Sequence, residues 1–141
     1  MSTGPSAGRA VNALAVVDGL LTRDGEPQAA RRASVCLLRL AVESAVDDVW
    51  HEVGRPEVCR VSRRAQFLVL PRFRDPATAS SAAALWGALA CAGHHHAYEL
   101  TPTAGELASW RAETAACLDA LAAPDRGSQT AEAVGHVRPG T

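Results

Sequence analysis

The chain has 141 residues, 48% of them hydrophobic and 21% charged, and a formal net charge of −1. This is the balance of one globular domain long enough to bury a core. A near-neutral chain has no global attraction for nucleic acid, so any polyanion must be held by a local patch, and no apolar run reaches the roughly 18 residues of a membrane-spanning helix.

Alanine is the commonest residue and only 4% of the chain is aromatic, a composition that favours close-packed helices over strands. Residues 1–8 are small and polar and read as a disordered leader. They lack the charged and apolar regions of a signal peptide, so a cytoplasmic protein is expected. From Arg9 to about Thr22, Val11, Leu14, Val17 and Leu21 recur at helical spacing. Gly25 interrupts the pattern, and Glu26-Pro27 offers a fresh start. The next helix, about 27–53, is the longest. Its apolar stripe is Val35, Leu38, Val42, Ala45, Val49 and Trp50, widened by Leu37, Leu40 and Val46.

The same helix carries a polar stripe of Arg32, Cys36, Arg39, Glu43 and Asp47. Two readings stand side by side. The stripe is a solvated face, or Arg39 and Glu43, paired at i, i+4 and set in apolar surroundings, line a cleft. Gly54-Arg-Pro56 ends this helix. Between Val58 and Phe73 a helix capped by Ser62 competes with a buried strand over Gln66–Leu70. A lone strand has nothing to pair with, so helix is predicted, ended or kinked by Pro71. Arg60, Arg63, Arg64, Arg72 and Arg74 make this the most basic region.

Asp75 is a natural N-cap with Pro76 behind it, and a helix from about 76 to 93 follows. Its small residues, including Ala82 to Ala84 and Gly87, allow close approach of a neighbour. Thr103 and Glu106 form a capping box for the last helix, about 104–123, which presents Leu107, Trp110, Cys117, Leu118 and Leu121. Pro124 ends it, and 124–141 read as a disordered tail. The expected fold is all-α, an up-and-down antiparallel bundle of four to five helices spanning 9–123. Cys36, Cys59, Cys91 and Cys117 contain no Cys-x-x-Cys pair and read as small core residues. No metal or other cofactor is expected.

Between the last two helices lies Gly93-His94-His95-His96-Ala97-Tyr98-Glu99, which holds three of the five histidines and the only tyrosine. Successive helical residues stand about 100° apart, so the three imidazoles cannot share one face. They serve as capping and hydrogen-bonding groups, as acid/base catalysts near neutral pH, or, with Cys91 at i−3 of His94, as half a metal site that has no second half.

His96-Ala97-Tyr98, placed where the penultimate helix gives way to the last, resembles the His-x-Tyr motif of HEPN domains, small helical bundles of prokaryotic toxin and defence systems. That family's hallmark is an arginine separated from the histidine by four to six residues, which puts it five to seven positions before His96. Here 89–91 read Leu-Ala-Cys, and no arginine lies between Arg74 and Arg111. The resemblance implies RNA as ligand, an expected homodimer, and, in active members, metal-independent RNA cleavage by the histidine with phosphate charge stabilised by the arginine. The departure points to a non-catalytic RNA-binding or regulatory member of a defence or toxin–antitoxin type system, with a possible protein partner and no membrane. A ribonuclease using His96, with Tyr98, His94 and His95 beside it, stays open, with Arg39, Arg63 or Arg64 replacing the missing cation. So does an unrelated helical protein–protein interaction module. The expected binding residues are Arg39, Glu43, Arg63 and Arg64.

Overall fold

A computed structural model describes residues 5–22, 28–94 and 101–123. Four long helices, α1 (Pro5–Leu21), α2 (Gln28–Glu52), α4 (Pro76–Gly93) and α5 (Ala104–Ala122), surround one core, with a short α3 (Arg63–Val69) between α2 and α4. Among the described residues there is no strand. Pro56–Arg60 and Leu70–Arg72 are 3₁₀ turns on either side of α3, so Val58–Phe73 is helical but broken into three pieces. Ser62 caps α3 as expected, its side chain accepting from Ala65 N at 3.2 Å, and Pro71 sits in the turn that follows. Among the described residues no helix is long and apolar enough to cross a membrane.

The helix ends follow local chemistry. At the end of α2, Gly54 takes φ 74°. Its N–H reaches His51 O and the N–H of Arg55 reaches Trp50 O, the paired bonds of a Schellman ending, which need a left-handed residue at that position. Asp75 accepts from Thr78 N at 3.0 Å and Thr103 from Glu106 N at 3.1 Å, so α4 and α5 begin on oxygen caps. Helix α1 starts at Pro5, ahead of the expected Arg9. Proline is pre-organised for a first turn, so small size and polarity alone were a poor stop signal. The expected tail, 124–141, lies outside the described residues.

Helix direction can be read from three arginines. Arg74, only 4% exposed, donates from Nε to Leu121 O at 2.8 Å and from Nη2 to Glu52 Oε2 at 2.7 Å. The ends of α2 and α5 and the start of α4 therefore meet. Arg31 Nη1 reaches Pro102 O at 3.4 Å, joining the starts of α2 and α5 at the other end. Arg111 clasps Asp18 through two bonds of 2.8 Å, which brings the end of α1 to the first half of α5. The long helices thus alternate in direction.

Helix α2 is central and packs on α1, α4 and α5. Its predicted stripe is buried throughout, from Val35 to Trp50, but Leu40 is exposed. Val11 of α1 is exposed too, whereas Val17 is fully buried. The cysteines divide: Cys117 is buried and Cys59 half-buried, but Cys36 and Cys91 are exposed and are not core residues. Cys36 shares the polar stripe of α2, so helical position overrides the residue's preference for burial.

Candidate functional site

The polar stripe of α2 is only partly a solvated face. Arg32 and Cys36 are exposed, but the next three members turn into the junction of α2, α3 and α4. Asp47 takes two bonds from Arg63, whose Nη1 also donates to Gln66 Oε1 at 3.0 Å. Gln66 is 1% exposed. It accepts from the buried Trp50 Nε1 at 3.0 Å and donates to Val61 O at 2.9 Å. Burial works against the Arg63 charge, yet the Asp47 carboxylate more than offsets it and raises the pKa of Arg63. Arg63 is therefore committed to the fold, while its neighbour Arg64 is exposed.

One turn nearer the start of α2, Glu43 Oε1 accepts from Trp86 Nε1 of α4 at 3.1 Å. Trp86 in turn packs against Phe67 of α3, the ring centroids 5.2 Å apart. Arg39 stands one further turn away, with Nε 3.8 Å from Glu43 Oε1. That is ion-pair range but too long for a hydrogen bond, and the buried Nε has no hydrogen-bond partner. Arg39 Nη1 lies 3.8 Å from where a Cβ would stand on Gly93. The guanidinium of α2 thus lies over the last turn of α4, whose terminal carbonyls present the negative end of the helix dipole.

His94 follows at once. It is exposed and closes α4 with its N–H on Cys91 O at 3.2 Å. His95, His96 and Tyr98 lie outside the described residues. Of the expected set, the structure brings together Arg39 and Glu43, beside Gly93 at the end of α4, where His94 follows in the chain. Arg63 is drawn into a separate network and Arg64 to the surface. No family model, curated protein or solved structure matches this chain. The site therefore has to be read from its own chemistry.

Two cysteines are poorly suited to nucleophilic chemistry. Burial and then the Asp47 carboxylate push the Cys59 thiol up, and burial pushes Cys117 to about 11, so both are thiols rather than thiolates near neutral pH. Among the described residues no three of His, Cys, Asp and Glu come together as a metal site.

Sequence reasoning missed Trp86 and Gly93. A signal for Trp86 was present: a half-buried indole N–H needs an acceptor, and Glu43 is the only carboxylate within the apolar Leu37–Val46. Gly93 had no such signal, because its part depends on how far Arg39 reaches across from another helix.

Proposed function

We propose that this chain is a HEPN-like helical domain that binds RNA where Arg39 meets the histidine junction, and that it acts as a regulatory component of a prokaryotic defence or toxin–antitoxin type system without cleaving the RNA. One observation carries the reading. Arg39 is half-buried, held among the described residues only by a long 3.8 Å contact with Glu43, and its Nη1 lies 3.8 Å from the Cβ position of Gly93, the residue before His94. A part-exposed guanidinium is well suited to a phosphate oxygen, and His94, next in the chain to Gly93 and exposed, would supply a second donor. Exposed Arg64 would add attraction without base specificity. The non-catalytic reading rests on α4 itself, which has no arginine or any other charged residue.

The placement of Arg39 also favours a second reading, a metal-independent ribonuclease in which Arg39 supplies from α2 the cation that α4 lacks and His96 acts on the ribose. Anisotropy titration of a fluorescent single-stranded RNA decides between the outcomes. Arg39→Ala should weaken binding about tenfold, the worth of one good charged contact, and binding should weaken with added salt. Wild-type affinity in Arg39→Ala would remove the proposed site. Strong cleavage in EDTA that His96→Ala abolishes would replace the binding reading with the nuclease one.

A further inference from the structure

Helix α3 is held by one face and open to solvent on the other. Gln66, Phe67 and Leu70 are buried, the first bonded to Trp50 and Arg63 and the second packed on Trp86. The Ser62 cap and the Arg63–Asp47 pair fix its start. At about 100° per residue, Leu68 turns away from Gln66 and Phe67. It is 78% exposed, more than any other large hydrophobic among the described residues. Val61 and Val69 are exposed as well, so three of the six exposed large hydrophobics fall within residues 61–69. Single exposed apolar side chains are ordinary, but a cluster of them marks a contact surface.

The charge around this cluster has one sign. From Val58 to Arg74 there are five arginines and no acidic residue. Arg63 and Arg74 are taken by Asp47 and Glu52, and Arg55, just ahead of the stretch, faces Glu57. Arg60, Arg64 and Arg72 are exposed and make no ion pair among the described residues. Arg64 stands one turn before Leu68, Arg60 is next to Val61, and Arg72 lies in the 3₁₀ turn that follows α3. Unpaired cations thus bracket the apolar cluster from both ends of the helix.

Such a surface is complementary to a partner that is anionic outside and apolar beneath. We propose that α3 docks on an anionic lipid bilayer, with Leu68, Val61 and Val69 entering the headgroup layer and Arg60, Arg64 and Arg72 paired with lipid phosphates and carboxylates. A guanidinium binds phosphate through two donors at once, and its carbon stem lies along apolar material while the head stays at the charged level. A bilayer needs no matching pocket, which suits a leucine that stands out from a helix of seven residues. Single-stranded RNA is a poorer match, because bases stack on exposed aromatic rings, and Phe67 is buried and Phe73 half-buried. The expectation of no membrane rests on the lack of a spanning run, and a surface contact needs none. This contact is independent of the RNA-binding reading, whose site is at Arg39.

Co-sedimentation of the full chain with lipid vesicles tests the proposal. Binding to phosphatidylcholine vesicles that contain phosphatidylserine should be on the order of a hundredfold tighter than to phosphatidylcholine alone, about fivefold for each of the three arginines. It should weaken with added salt. Leu68→Asp should weaken it at least about tenfold and Arg64→Gln about fivefold, each with the helical circular dichroism of the wild type. Val11→Asp, at an exposed apolar position on α1, should bind as the wild type does. Equal binding to the two kinds of vesicle, undiminished binding by Leu68→Asp, or an equal loss from Val11→Asp would each overturn the proposal. Binding of fluorescent single-stranded RNA but of neither vesicle, weakened by Arg64→Gln, would overturn it in favour of nucleic acid.

Discussion

Gln66 shows what one buried polar residue contributes here. Its amide joins Trp50, Arg63 and the carbonyl of Val61, so α2, α3 and the turn before α3 share one hydrogen-bonded centre. Gln66→Leu fills a similar space but leaves the fully buried Trp50 Nε1 without an acceptor. Chemical denaturation should show a loss of roughly 1–3 kcal/mol, the cost of stranding a buried donor. A neutral substitution would mean that the network contributes nothing net. Arg39 is the contrasting case, half-buried, with a long 3.8 Å contact to Glu43 and a buried Nε that makes no hydrogen bond.

At the scale of the element, α3, α4 and α5 start on side-chain oxygens, and at α5 the cap is joined by an acidic first turn. Its start follows directly on the histidine junction, and Thr103 accepts from Glu106 N while Glu106 places a carboxylate in the first turn. Thr103→Ala should cost about 0.5–2 kcal/mol in urea unfolding. Thr103→Ser, which keeps the oxygen, should recover most of it. Equal losses from both would assign the effect to packing of the threonine methyl group instead. The link between α1 and α5 is of another kind. The Arg111 guanidinium holds the Asp18 carboxyl below its ordinary value, but the bridge is exposed and contributes little. Helix α1 stays in place through Val17 and its packing on α2.

For the whole molecule, stability comes from helix packing around α2 and from buried polar centres at Gln66 and Arg74. Neither needs a metal, and EDTA should leave the melting temperature unchanged. A structural metal contributes folding free energy directly, so a large fall would place a site among ligands that include the histidine junction. The same global view explains the charge. The net −1 conceals a basic stretch around α3 and an α5 whose charged residues are mostly acidic.

The amino-acid order alone determined three of the long helices and their ends, but not where α1 starts or how Val58–Phe73 breaks. Apolar residues at three- and four-residue spacing marked α2, α4 and α5 within a residue or two. Gly54, Asp75 and Thr103 marked their ends, because capping and left-handed turns are local chemistry that acts over three or four neighbours. It also exposed the oddity of Arg39 and Glu43, charged groups within an apolar run. Only the tertiary structure decided what each charge does. Arg39, Arg63 and Arg64 look alike in sequence, yet one lies over the end of α4, one is locked to Asp47, and one faces solvent. The Asp47 that binds Arg63 stands on another helix, 16 residues away, and the Gly93 that Arg39 reaches is 54 residues on. No periodicity along one helix can encode such a pairing, since it depends on how α2, α3 and α4 come together around Trp50, Phe67 and Trp86.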